Sequence, residues 1–233
     1  MMIAAKLARI ERFLARKGIA LQVTRRPPAE PGAIRRAEDA LGRPLPADLR
    51  ETYAQFADGF EVAWDDVRSN TDFDFGRFDL PDLETLVRNS LEFRAQTRGW
   101  LDNPEEYIDA DGIDEAIPVL RHMLDWAVVW PYVGDADHVC IDLPSGAVVY
   151  HDYEWSSYKP FGFIDYKPFG FIDLPSGAAV HNGGLVATSW SELVDRWGDV
   201  CFLFFKDCSA QYPPGPDRDA PDARKYRLRD DEP

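Results

Sequence analysis

The chain has 233 residues and a mass of 26.5 kDa; with 45% hydrophobic and 13% aromatic content it can fill a sizeable core, which excludes a chain disordered throughout. No apolar run approaches the roughly 20 residues of a membrane span. The balance of 26 Lys and Arg against 41 Asp and Glu gives a net charge of −15, which opposes binding to nucleic acid or anionic lipid and favours a basic partner.

In chain order, Ile3, Leu7, Ile10 and Leu14 recur at helical spacing, so residues 3–17 are expected to form an amphipathic helix that ends at Gly18 and packs on the domain. Its charges recur every three or four positions, which leaves no apolar stretch of the kind a secretory signal needs, and a cytoplasmic protein is expected. The proline-dense TRRPPAEPG (24–32) reads as a linker. Ile34, Ala37 and Leu41 predict a helix closed by Gly42. Leu45-Pro46 opens another, with Leu49, Tyr53 and Phe56 buried and Gly59 at its end.

From residue 60 the period changes to that of strands in FEVAWDDV (60–67) and FDFGRF (73–78). A helix follows Leu80-Pro81, carried by Leu83, Leu86, Val87 and Leu91 and running to about Arg98, and residues 99–116 read as a loop. Four runs rich in Val, Ile, Trp and Tyr then predict an antiparallel meander: IPVL (117–120), WAVVWPYV (126–133), HVCIDL (138–143) and AVVYHDYEW (147–155). Ser189 and Glu192 form a capping box ahead of a last helix that carries Leu193, Trp197, Val200 and Phe204. The remainder is proline-rich and charged and reads as a disordered tail.

One stretch is duplicated. YKPFGFID at 158–165 recurs unchanged at 166–173, and IDLPSGA at 141–147 recurs at 172–178. Eight residues is an even insertion, so it preserves which faces of a strand point inward; Pro-Ser-Gly suits a hairpin turn in each IDLPSGA copy. The insertion reads as a neutral duplication in a peripheral loop, or else as an enlarged recognition hairpin.

No phosphate-binding loop, dinucleotide fingerprint, nucleophile elbow or H-E-x-x-H is present, and His122, His138, His151 and His181 show no metal-pair spacing. His151 beside Asp152 is the best general-base candidate. Cys140, Cys201 and Cys208, without a C-x-x-C pair, fit neither a disulfide framework nor a thiolate zinc site. Charge placement is more informative, because residues 61–115 hold 16 acidic against 5 basic side chains, while residues 1–60 hold 7 against 11. DADGIDE (109–115) could attract a hard cation, but it lacks the glycine and glutamate positions of a calcium loop. The expected function of this region is docking of a basic protein by Trp64, Asp65, Asp66, Asp72, Asp74, Trp100, Asp102, Glu105, Glu106, Tyr107 and Asp109, with aromatic anchors set among carboxylates. A solvated acidic face is the simpler alternative.

The run at 33–62, AIRRAEDALGRPLPADLRETYAQFADGFEV, resembles the opening of the SUKH superfamily through Ile34, Glu38, Leu41-Gly42, Leu45-Pro46, Tyr53 and Asp58-Gly59. FDLPDLETL (78–86), AIPVL (116–120), HVCIDLPSGAVVYHDYE (138–154) and SWSELVDRW (189–197) follow in the family's order. Asp58 stands where asparagine is frequent, and the 158–181 duplication has no counterpart. The resemblance implies an α+β fold, an antiparallel sheet with helices packed on one side, and many bacterial members are immunity proteins that neutralise a cognate toxin. It implies no catalytic residue, cofactor or metal. The expected organisation is an N-terminal helix and Pro-rich linker at 1–29, the α+β domain at 30–206 with the hairpin insertion at 158–181, and the tail at 207–233. The expected protein is a cytoplasmic, non-enzymatic immunity protein; a regulatory or scaffolding SUKH protein and a metal-dependent hydrolase using the acidic loop are the alternatives.

Overall fold

The computed structural model describes residues 2–68, 75–107, 113–133, 137–151, 172–173, 179–180, 183–203 and 225–228. Its class is α+β, as expected. The strands do not form one sheet, however. β1 (Gln22–Arg25), β2 (Phe60–Asp65) and β3 (Phe75–Leu80) make one antiparallel sheet in that order. A second is ordered β4 (Trp126–Val133), β5 (Asp137–Asp142), β6 (Val148–His151) and β9 (Gly183–Ala187), again antiparallel. Between β6 and β9, β7 (Ile172–Asp173) and β8 (Ala179–Val180) pair with each other. The first IDLPSGA copy joins β5 to β6, and Gly146 in it takes the left-handed φ of 80° that the turn requires; the second copy, beyond Ile172 and Asp173, lies outside the described residues. The YKPFGFID copies lie outside the described residues, apart from Ile172 and Asp173.

The second sheet is buried on both faces. Ala127, Val129, Val139, Ile141 and Val148 face the larger core, whereas Trp126, Val128, Cys140 and Val149 face a smaller one with Phe93, Trp100, Val119, Leu120 and Met123. Such two-sided burial explains why WAVV reads as a continuous apolar run instead of an alternation. A bulge after Val128 shifts the register so that Trp130 opposes Val139 and turns to the larger core, where its indole N–H donates to the Asp79 carbonyl of β3 at 2.7 Å.

The helices are α1 (Met2–Arg16), α2 (Pro31–Leu41), α3 (Ala47–Gln55), α4 (Leu83–Asp102), α5 (Pro104–Tyr107), α6 (Ile113–Met123) and α7 (Trp190–Gly198). Ile3, Leu7, Ile10 and Leu14 of α1 are buried as their spacing predicts. So is Lys6, which sequence places on a charged face: its ammonium lies 2.6 Å from Asp195 and 2.7 Å from Asp199 of the α7 end, and its stem lies along Gly198, where a Cβ would come within 2.7 Å of it. The segment read as a linker begins with the last two residues of β1 and ends with the first two of α2, and its backbone is tied down by bonds from Arg26 N–H to Gly59, Ala29 N–H to Tyr53, and Asp58 N–H to Pro27. Pro46 precedes α3 rather than opening it. In α7 the fully buried indole is Trp190; Trp197 is only half-buried, its N–H donating to the Leu203 carbonyl at 3.0 Å.

α4 connects the two cores. Asp82 caps it by accepting from Thr85 N–H at 2.8 Å, and Asp58 accepts from Leu83 N–H at 2.9 Å. Tyr53 donates to the Pro81 carbonyl, and Gly59, at φ 89°, lies so near Asp82 that a Cβ would meet its backbone nitrogen at 2.9 Å. Tyr53, Asp58 and Gly59 therefore hold the start of α4. Its buried face runs through Leu83, Leu86, Ser90, Phe93, Arg94, Thr97 and Trp100. Leu91, expected inside, is 43% exposed. Ser90 accepts from the Val128 N–H, while the Arg94 guanidinium donates to the Trp126 and Leu41 carbonyls. The bonds to Val128 and Trp126 satisfy outward-facing groups of β4, an edge strand of its sheet, so α4 closes that edge against further strand pairing.

Two further corrections concern the middle of the chain. Residues 99–116 are not one loop, because α4 extends to Asp102 and α5 follows at once. IPVL lies in α6, with Pro118 inside the helix, and is not a strand.

Candidate partner-binding surface

The expected docking residues divide between two places. Trp64 and Asp65 end β2, and Asp66 follows. Trp64 is no surface anchor: it lies in the larger core, its indole N–H donates to the Cys201 carbonyl at 2.6 Å, and its ring packs on Tyr226 with centroids 4.6 Å apart. That carbonyl is aimed by left-handed φ values of 57° at Cys201 and 55° at Phe202, and no side chain fits at Gly76, where a Cβ would approach the Cys201 oxygen to 2.7 Å.

Asp66 is buried too. It accepts from the Tyr226 hydroxyl at 3.1 Å and from the Arg68 N–H and guanidinium at 3.4 Å, with the Lys225 ammonium 3.7 Å away. Burial pushes its carboxyl up, but the hydrogen bonds from Tyr226 and Arg68 and the Lys225 charge outweigh this and hold it below the ordinary range. Asp65 is exposed, while Asp72 and Asp74 lie outside the described residues.

The second group forms a helical corner. Trp100 is buried in the smaller core and so corrects the expectation of a surface anchor, but it fastens the end of α4 to α6 and the sheet. Beyond it Asp102, Glu105 and Glu106 are exposed, as is Asp114 in the first turn of α6. Asn103 ends α4, its N–H bonded to Gly99 O and its own carbonyl accepting from Glu106 N–H, so α5 turns directly off α4. Glu105 and Glu106 sit in the first turn of α5, a favourable place for acids. Asp102 is at the negative end of a 20-residue helix with no basic residue in its last turn, an unfavourable one. Among the described residues no cation pairs with Asp102, Glu105, Glu106 or Asp114. Tyr107 ends α5, and Asp109, like most of DADGIDE, lies outside the described residues.

Sequence reasoning missed a buried polar set in the first IDLPSGA turn. Asp142 is fully buried, with one oxygen 2.9 Å from His122 Nε2 of α6 and the other accepting from the Ser145 hydroxyl. The serine thus contacts the carboxylate and not the imidazole, whereas an activated nucleophile needs the serine–histidine bond. The set brings α6 beside the hairpin turn; Asp-Leu-Pro-Ser alone could not reveal it, since His122 lies just past a run read as a strand and arrives on a helix. His138 is buried against Phe93 and lies opposite His151 in the β5–β6 register; the His151 side chain and His181 are outside the described residues.

Among the described residues, no group of three or more His, Cys, Asp or Glu is placed to hold a metal ion, and no helix is long and apolar enough to cross a membrane. No family model matches the chain, and no curated protein matches it.

Proposed function

We propose that the protein is a cytoplasmic immunity protein of SUKH type that neutralises a basic toxin by occlusion, without catalysis. The observation that carries this reading is the corner formed by the end of α4, α5 and the start of α6, where Asp102, Glu105, Glu106 and Asp114 are exposed on helices secured from beneath by buried Trp100. Carboxylates carried on helices that a buried tryptophan anchors are suited to occlusion, because little backbone freedom remains to be lost on binding. Placing Asp102 where the α4 dipole opposes it sacrifices local stability, as residues kept for recognition commonly do. The order of short motifs, which resembles that of SUKH proteins, supports the toxin-neutralising role, and the net charge of −15 supports steering of a basic partner.

The test is co-expression with the product of the adjacent reading frame. Copurification as a stoichiometric complex, together with rescue of cells from that product, is the expected result. Absence of both a complex and protection would overturn the immunity reading.

A further inference from the structure

Residues 225–228, Lys-Tyr-Arg-Leu, belong to a proline-rich, charged stretch with little apolar content, yet Tyr226 is fully buried and Leu228 is 6% exposed. They join no sheet of the domain. Their contacts instead resemble those of a bound peptide. The Tyr226 ring lies on Trp64, its hydroxyl donates to Asp66, and Lys225 approaches the same carboxylate. Leu228 enters the larger core, and its N–H donates to the Asp199 carbonyl at 2.7 Å, just past α7. The receiving side is prearranged without this segment, since Trp64 is fixed by the Cys201 carbonyl, Asp66 by Arg68, and Asp199 by Lys6. Within an acidic protein, residues 224–229 carry four basic side chains, Arg224, Lys225, Arg227 and Arg229. A cationic, tyrosine-containing segment therefore occupies an aromatic cleft with an acidic floor.

We infer that the cleft formed by Trp64, Asp66 and the Asp199 carbonyl is a peptide-docking site, that residues 225–228 are its built-in ligand, and that it accepts from a partner protein a segment of the same chemistry, a basic residue followed by tyrosine and, two positions on, leucine. The tethered segment competes with that partner. Because the segment belongs to the same chain, it competes intramolecularly, so releasing it raises the apparent affinity for the partner. This site is distinct from the α4–α5 corner and does not depend on the immunity reading.

The experiment uses the full chain and a fluorescein-labelled peptide with the sequence of residues 223–229, followed by anisotropy. Tyr226→Ala/Leu228→Ala should bind the peptide at least tenfold more tightly than the parent chain, and adding Asp66→Asn should remove at least tenfold of that affinity. A correctly folded double variant that fails to bind would overturn the inference. Should the double variant not fold, hydrogen exchange on the parent chain decides: the Leu228 amide is expected to exchange at least a hundredfold faster than the amides of β2. Equal protection would make the segment part of the cooperative core and sink the proposal. Reversing the charges of Asp102, Glu105 and Glu106 should leave peptide affinity unchanged, which separates this site from the corner.

Discussion

Asp66 shows how a residue expected on an exposed docking face can lie buried among the chain's own groups. Because folding lowers its pKa below the ordinary 3.8, the carboxylate favours the folded state at higher pH, and that contribution is lost as pH falls below 3.8 through the folded value. The parent chain should therefore lose stability more steeply than Asp66→Asn between pH 5 and pH 3, as measured by urea midpoints; parallel curves would contradict the assigned bonds. Individual apolar positions such as Ile10, Leu49 and Leu86 were legible in the sequence, since each lies on a regular stripe and each is fully buried. Ser90 and Arg94 were not. A periodicity count sees only apolar residues, whereas these two are buried because β4 offers them unpaired backbone groups, a fact of tertiary placement. Trp64 was misplaced for the converse reason: an aromatic beside two aspartates has the composition of an interface anchor, and only the left-handed turn at Cys201 and Phe202 shows that it points inward.

At the scale of elements, the ends of helices were readable where chemistry marks them. Gly42, at φ 66°, closes α2, and Ser189 accepts from Glu192 N–H to cap α7. α6 was not readable, because Ile117, Val119 and Leu120 have strand character and Pro118 argues against a helix interior; burial against α4 in the smaller core outweighs both. α4 gives a prediction that joins stability to function. Asp102→Lys should stabilise the fold slightly, by about 0.5 kcal/mol, since a cation suits a helix C-terminus. The same substitution should weaken partner binding, so thermal denaturation and binding are measured on one sample. Lower stability with unchanged affinity would place Asp102 outside the recognition surface.

For the whole molecule, the α+β class follows from the change of period near residue 60, but the partition into two sheets does not. Nothing local distinguishes a strand that continues a sheet from one that begins another; the division arises because α4 packs along β4 and closes that edge. The tail was legible as proline-rich and charged, and its two buried side chains were not, since their partners lie about 160 residues away at Asp66 and in the core. The charge asymmetry carried the functional expectation, and of the acidic residues expected to dock, the structure buries Asp66 and exposes Asp65, Asp102, Glu105 and Glu106. The central claim is that the corner captures a basic toxin, and stopped-flow association with the adjacent frame's product tests it most directly, comparing the parent chain with Asp102→Lys/Glu105→Lys/Glu106→Lys. The account predicts an association rate at least tenfold lower for the variant at low salt, a difference that narrows at high salt, and weakened protection of cells. An unchanged rate at low salt with full protection would contradict it.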